Sequence, residues 1–600
     1  MVTESTTSPA HPAPTGGAGP DGLPRWSLHT VFPHLHAPQY TAARAAVLED
    51  LQALRDTYRR HGVAPGSHQV VTDGFLAAFD TVVPQTNRLL DAHRTIAMYL
   101  SALLWADAGD EDARSEQASF RAATSEVFLL VEDLKAWVTR VDQEQLIDVS
   151  HVAAAHTHFL GRAADAARHR MPAAAEALHQ GLREYTGAAW LGLYHELAAD
   201  IGPYPVVAGA GHLDATTLHQ DNIGRWHAAG PSLAAALNAI KGEELLISRL
   251  RGWRTPLDER ADTEGVEIAT LTAMFDAVRA VLPEVRTYLE AKARLLGHEA
   301  SLPWWEIPAP LPGSDAVAWH DALALVQKAF GSHSSDLGSL PRHAVDRQWI
   351  DAQPRPAKRS RALCVMVADG EPRILLAYDG SYQSVLSLAH ELGHAHHYGR
   401  LEGATWLQRD IPLAVSETAS GFCEALVGEE LLRTAPPAEH LARLDALLVR
   451  QCQNIVDALV WFTVEERIFS ERAAAPLSEG RLCDLMIESQ REVYGASVLP
   501  ATLHPYWWAA RADTLASAYS NWQYCFGTLL GTALHTATAG DQDERRHLLD
   551  EILSRSGTER LSHLMRSAGI DLADPAFWEG SLTLMRQHIT EFVTAAGDVA

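Results

Sequence analysis

The sequence predicts a large, mainly α-helical protein with room for more than one lobe and a single small β element. Three observations lead there. Six hundred residues can bury a large core and build more than one lobe. Ala- and Leu-rich stretches with interspersed charges dominate from about residue 41 to about residue 295, a composition that favours helix. Two short apolar or β-branched runs, Ala362–Val367 and Arg373–Tyr378, flank the turn-like Ala368-Asp-Gly-Glu-Pro372 and read as a hairpin.

Residues 1–24, rich in Pro, Gly, Ala, Thr and Ser, read as a disordered tail and not as a signal peptide. Order begins near Trp26. Thr41–Tyr58 places Val47, Leu48, Leu51, Leu54 and Tyr58 on one face, an amphipathic helix. Helices are expected over Asp73–Ala106, Glu116–Arg140, Glu144–His169 and Ala173–Leu197. Gly202-Pro-Tyr-Pro205 breaks the pattern and divides an N-terminal helical lobe, 25–200, from a second domain, 201–600. Leu237–Arg254 and Val266–Leu296 are helical again, with a kink or break expected at Pro283. Four prolines within Leu302–Pro312 end the run of helices, and helix resumes over about 316–331. The basic cluster Arg355–Arg361 reads as a solvated loop, with contact to a substrate carboxylate as the alternative.

A net charge of −26 argues against nucleic acid as the main partner. The longest apolar runs are too short to span a bilayer, so no membrane partner is expected. Five cysteines, Cys364, Cys423, Cys452, Cys483 and Cys525, form no C-x-x-C pair and are odd in number. They read as buried small hydrophobes in a reducing, cytoplasmic compartment.

Chemistry concentrates in Ser387–Tyr398. His390-Glu391-Leu392-Gly393-His394 is an H-E-x-x-H motif. On a helix, His390 and His394 share one face and can bind one zinc ion, Zn2+. Glu391 is rotated by about 100° from His390 and can act as general base toward a water on the metal. With 30 histidines in the chain, an exposed helix that happens to carry two of them is the plain alternative. A second helix begins near Pro412. It carries Glu417, Ser420 and Glu424 on one otherwise apolar face, and buried carboxylates need a cation or hydrogen-bond partners. Glu417 is therefore the candidate third ligand, and Glu424 the carboxylate that orients a ligand histidine.

At these residues the chain resembles the thimet oligopeptidase superfamily of zinc peptidases (M3), most closely the oligoendopeptidase F branch. The likeness extends through Leu375–Ser381 and Leu388–His394, and upstream through Trp349–Asp351, Pro354-Arg355 and Lys358–Ser360. It also takes in Ala291–Gly297, Ala309–Pro312 and Trp26–Leu28, and so runs over most of residues 26–590. The resemblance implies a two-lobed helical metalloendopeptidase that hydrolyses short peptides in a deep central channel. Residues 201–600 would be the catalytic domain, contributing to both lobes. It implies His390, His394 and Glu417 as zinc ligands, Glu391 as base, and the strand around Leu375–Tyr378 as the partner of the substrate backbone.

The family's substrate-binding histidine and tyrosines correspond to the region from His504 to Gly527, where Tyr519 and His504 are the candidates for holding the oxyanion. Ser520 and Trp522 stand where closely spaced tyrosines are usual, while Tyr519 and Tyr524 remain. Two other roles stay open: a dedicated processor of one peptide, and a non-catalytic peptide-binding homologue.

Overall fold

The computed structural model describes residues 22–183, 185–202, 212–312, 316–359, 362–536 and 542–599. Most of the expected tail and residues 203–205 of the expected break lie outside that set. Pro24 is described, and its carbonyl accepts a 2.9 Å hydrogen bond from Ala352 N–H.

Helix α1, Pro38–His61, buries Val47, Leu51, Leu54 and Tyr58 and stops at Gly62, whose φ of 63° is left-handed. Helix α2 runs over Asp73–Ala106 with Thr72 as its N-cap, the hydroxyl accepting from Phe75 N–H. The next expected helices are subdivided. The 116–140 stretch forms Glu111–Ala123 and Val127–Val138, the 144–169 stretch forms three short helices, and the 173–197 stretch forms two. Composition favours helix throughout but does not show where a polar side chain caps a new one. Asp142 and Ser150 do so here, each accepting from the backbone N–H three residues on. The long helices α3, His212–Leu250, and α4, Ile268–Leu295, follow. Pro283 does not break α4, because Val278, Val281, Leu282 and Val285 hold that turn in the core.

Two hydrophobic cores form. One is built from α1, α2 and the helices up to residue 163; the other from residue 194 onward. A three-stranded sheet lies between them: β1, Ile350–Asp351; β2, Leu363–Ala368; β3, Glu371–Leu375. Its order is β1-β3-β2, with β1 parallel and β2 antiparallel to β3. Strand alternation sends Cys364 and Ile374 into the second core, and Val367 and Leu375 into the first. The hairpin is as expected, and β1 is an addition. It is fixed by two members of the basic cluster, Arg355 and Lys358, which are held inside the protein, whereas Arg359 is exposed and residues 360–361 lie outside the described set. Arg355 grips both oxygens of Asp351 at 2.8 Å, and buried Lys358 donates to Asp351 and to the Leu376 carbonyl. Burial lowers the Lys358 ammonium to about 8 against the pull of Asp351.

Five further helices surround the candidate site: α5, Tyr382–Arg400; α6, Leu413–Arg433; α7, His440–Gln451; α8, Asp457–Arg472; and α9, Trp522–Thr536. A last helix, α10, Thr583–Val599, closes the second core. Helices α5, α6 and α9 pack very closely, and glycine is what permits it. A Cβ on Gly393 would lie 2.7 Å from Ser420 Cα, and one on Gly527 only 2.3 Å from Glu417 Cβ.

Candidate metal centre

Ser381 caps α5, its hydroxyl accepting from Ser384 N–H, and the helix carries the whole H-E-x-x-H motif. The helical repeat sets His390 and His394 one turn apart, with their Nε2 atoms 3.2 Å from each other. Helix α6 returns alongside and brings Glu417 to both. Its Oε2 is 3.3 Å from His390 Nε2, and its Oε1 is 3.8 Å from His394 Nε2. Among the described residues this is the one cluster of metal-ligating groups. Donor atoms about 2.1 Å from a tetrahedral ion stand about 3.4 Å apart, and these spacings fit that triangle.

The other ring nitrogens are also placed. His390 Nδ1 lies 2.6 Å from Glu424 Oε1, and His394 Nδ1 lies 3.1 Å from Ser416 Oγ. Both partners leave Nε2 aimed at the centre of the triad. Arg450 in turn donates from Nε and Nη2 to the two oxygens of Glu424, at 2.9 and 2.5 Å. Burial would lower the His390 imidazolium, but hydrogen bonds to Glu417 and Glu424 outweigh it and raise the group to about 10. His394, with burial dominant, falls to about 4. Glu391 is buried beside the triad and pushed up to about 7 by that burial, and its Oε2 has no hydrogen-bond partner. An orphaned carboxylate oxygen beside two imidazoles and a second carboxylate suits a metal ion with its water.

The triad opens into a cavity of about 570 Å³. Leu363 and Cys364 of β2 form one wall, Asn521 and Tyr524 another. Gln453 and Asn454 reach it from Cys452–Val456, a π-helical segment between α7 and α8, and Asp457 and Arg511 lie beyond. Sequence reading missed Arg450, Asn454, Asp457 and Arg511, and nothing in their local pattern marks them.

Tyr519 and His504 are not brought to the triad. Tyr519 adopts a left-handed φ of 50°, gives its N–H to Glu465 Oε1 at 3.1 Å and stacks on Phe469. His504 Nε2 lies 3.0 Å from Asn222 Oδ1, and its ring packs against His219 and Trp304. The tyrosines that do line the cavity are Tyr524 and, at the end of α5, Tyr398. The strand expected to pair with substrate also shifts. β3 has partners on both sides, and beyond it Leu376 and Tyr378 donate to Asp351 and Ala352. The sheet edge that reaches the cavity is β2.

This geometry has counterparts. Residues 337–584, which contain the triad and Glu391, match the family model described as Peptidase family M3. The oligoendopeptidase F homolog of Lactococcus lactis is 22% identical over 323 residues, 53% of this chain and 53% of its own. Oligopeptidase PepF of Bacillus subtilis is 18% identical over 367 residues, 60% of this chain and 54% of its own. The chain thus spans about half the length of these curated relatives in the matches. The fold is shared over more. Oligoendopeptidase-F from Enterococcus faecium superimposes with a TM-score of 0.69 at 16% identity, over 94% of this chain and 99% of that one. PZ peptidase A with an inhibitor gives 0.71 at 13% identity, over 92% and 98%. Among the described residues no helix is long and apolar enough to cross a membrane.

Proposed function

We propose that the protein is a zinc-dependent endopeptidase acting on short peptides. The observation that carries this reading is the meeting of His390, His394 and Glu417 around the orphaned Oε2 of buried Glu391, at the wall of a cavity. His390, His394 and Glu417 would hold one zinc ion per chain. Bound there, zinc supplies Lewis acidity, lowering the pKa of water and polarising a carbonyl. The protein's own groups do the rest. Glu391 takes the proton of the attacking water and delivers it to the leaving nitrogen. The β2 edge pairs with the substrate backbone near Leu363 and Cys364. Tyr524, with Asn521 and Arg511 beside it, takes the place expected of Tyr519 and His504 in holding the developing oxyanion. A cavity of about 570 Å³ accepts a few residues of an extended peptide and excludes a folded protein.

The withdrawal of Tyr519 from the cavity favours a second reading, a peptidase dedicated to one peptide. Mass spectrometry of peptide-library digests, with chelator and with zinc restored, separates the readings. Broad cleavage lost to chelator supports the general oligopeptidase. Cleavage of one sequence class supports the dedicated one. Zinc binding with no cleavage of any peptide contradicts both and leaves a peptide-binding protein.

A further inference from the structure

Among α5, α6, α7, α9 and α10 lies a second cavity of about 550 Å³. Leu386, Leu432, Leu447 and Leu584 make its walls apolar, and Thr528 and Thr532 of α9 line one side with hydroxyls. The Glu424–Arg450 pair lines it, and so do Arg433, His588 and the Glu429–His535 pair. Arg450 belongs to the walls of both cavities, and Glu424 holds His390 Nδ1. A ligand in the second cavity therefore meets the same guanidinium that fixes the carboxylate behind a metal ligand.

We propose that the second cavity binds a small amphipathic acid, and that its occupation lowers metal affinity through Arg450 and Glu424. The volume falls in the range of small-molecule sites, and a lining of leucines with the guanidiniums of Arg433 and Arg450 matches an apolar body carrying a carboxylate. The Nε and Nη2 atoms of Arg450 are both given to Glu424. A ligand carboxylate on the guanidinium shares that charge, loosens Glu424 and so the seating of His390. The second half of the proposal rests on His390 being a metal ligand. The first half does not.

The test uses the full chain and octanoate as probe, with octanol as the uncharged control of like length. Titration calorimetry on the metal-free and zinc-loaded protein reads binding. Competition with a colorimetric chelator reads zinc affinity. Octanoate is expected to bind and to weaken zinc by about fivefold or more, the size of an ordinary coupling between sites, with octanol without effect. Ala425→Leu puts a larger side chain into the cavity wall and is expected to abolish octanoate binding while leaving zinc affinity unchanged. Octanoate that fails to bind, that binds no better than octanol, or that binds Ala425→Leu equally well would overturn the proposal. So would octanoate that competes with a cleaved peptide, which would make the cavity part of the substrate path. None of the binding measurements needs turnover, so loss of the peptidase reading would leave them intact.

Discussion

His390 Nδ1 and Glu424 Oε1 lie 2.6 Å apart, so the first histidine of the motif is held by a carboxylate seven residues beyond Glu417 on the same helix. That contact fixes the ring tautomer and aims Nε2 at the triad. Glu424→Gln keeps the size and removes the charge. Zinc affinity is expected to fall by about 10- to 100-fold, the usual cost of losing such a partner. Chelator competition with unchanged circular dichroism checks it. An unchanged affinity contradicts the orienting role.

The two tyrosines of the segment before Gly527 should behave differently. Tyr524 lines the cavity, whereas Tyr519 is stacked on Phe469. Tyr524→Phe is expected to lower kcat by about 10²- to 10³-fold, as for loss of an oxyanion donor, with zinc retained. Tyr519→Phe is expected to leave kcat within about threefold, because Tyr519 is not among the residues that line the cavity. Steady-state kinetics on the best library peptide decides, and the reverse ranking contradicts the placement.

Close packing at the site gives a stability prediction. Gly527→Ala would press a methyl onto Glu417, and over-packing of this kind costs about 1–3 kcal/mol. Urea unfolding should show the loss. Because the displaced group is a proposed ligand, zinc affinity should fall in the same variant. A variant as stable as the parent would show that the helices part without cost.

Buried Lys241 and Glu465 and half-buried Glu244 form a trio with two carboxylates for one ammonium. Burial raises Glu465 to about 7 against the pull of Lys241 and the Tyr519 N–H, and raises Glu244 as well. The folded value lies above the ordinary 4.5, so the stability tied to this proton is full below about 4.5 and is lost as pH rises through about 7. Wild-type stability should therefore decline from pH 5 to pH 8 more than that of Glu465→Gln. Equal slopes in the two denaturation series contradict a shifted Glu465.

Much of the site was legible because helices translate spacing into geometry. His390 and His394 at i, i+4, and Glu417 and Glu424 at i, i+7, each define one face, and the two faces meet. The hairpin and the two helices that follow it were legible for the same reason of simple periodicity. What escaped depends on distant chain. Arg450, Asn454 and Asp457 reach the cavity through the ends of α7 and α8 and the π turn between them, which no local pattern announces. Lys358 looked like part of a solvated charge run because its partner, Asp351, meets it only once β1 joins the sheet. Tyr519 looked available because a left-handed backbone at a tyrosine is uncommon and unmarked in sequence.

The central claim is that Glu391 serves chemistry and not metal binding. Glu391→Gln keeps the shape of the side chain and removes the base. Zinc content by elemental analysis and cleavage of the best library peptide should be measured on the same sample. The account predicts one zinc per chain, as in the parent, with cleavage reduced by at least about 10²-fold. Full cleavage by the zinc-loaded variant would contradict it.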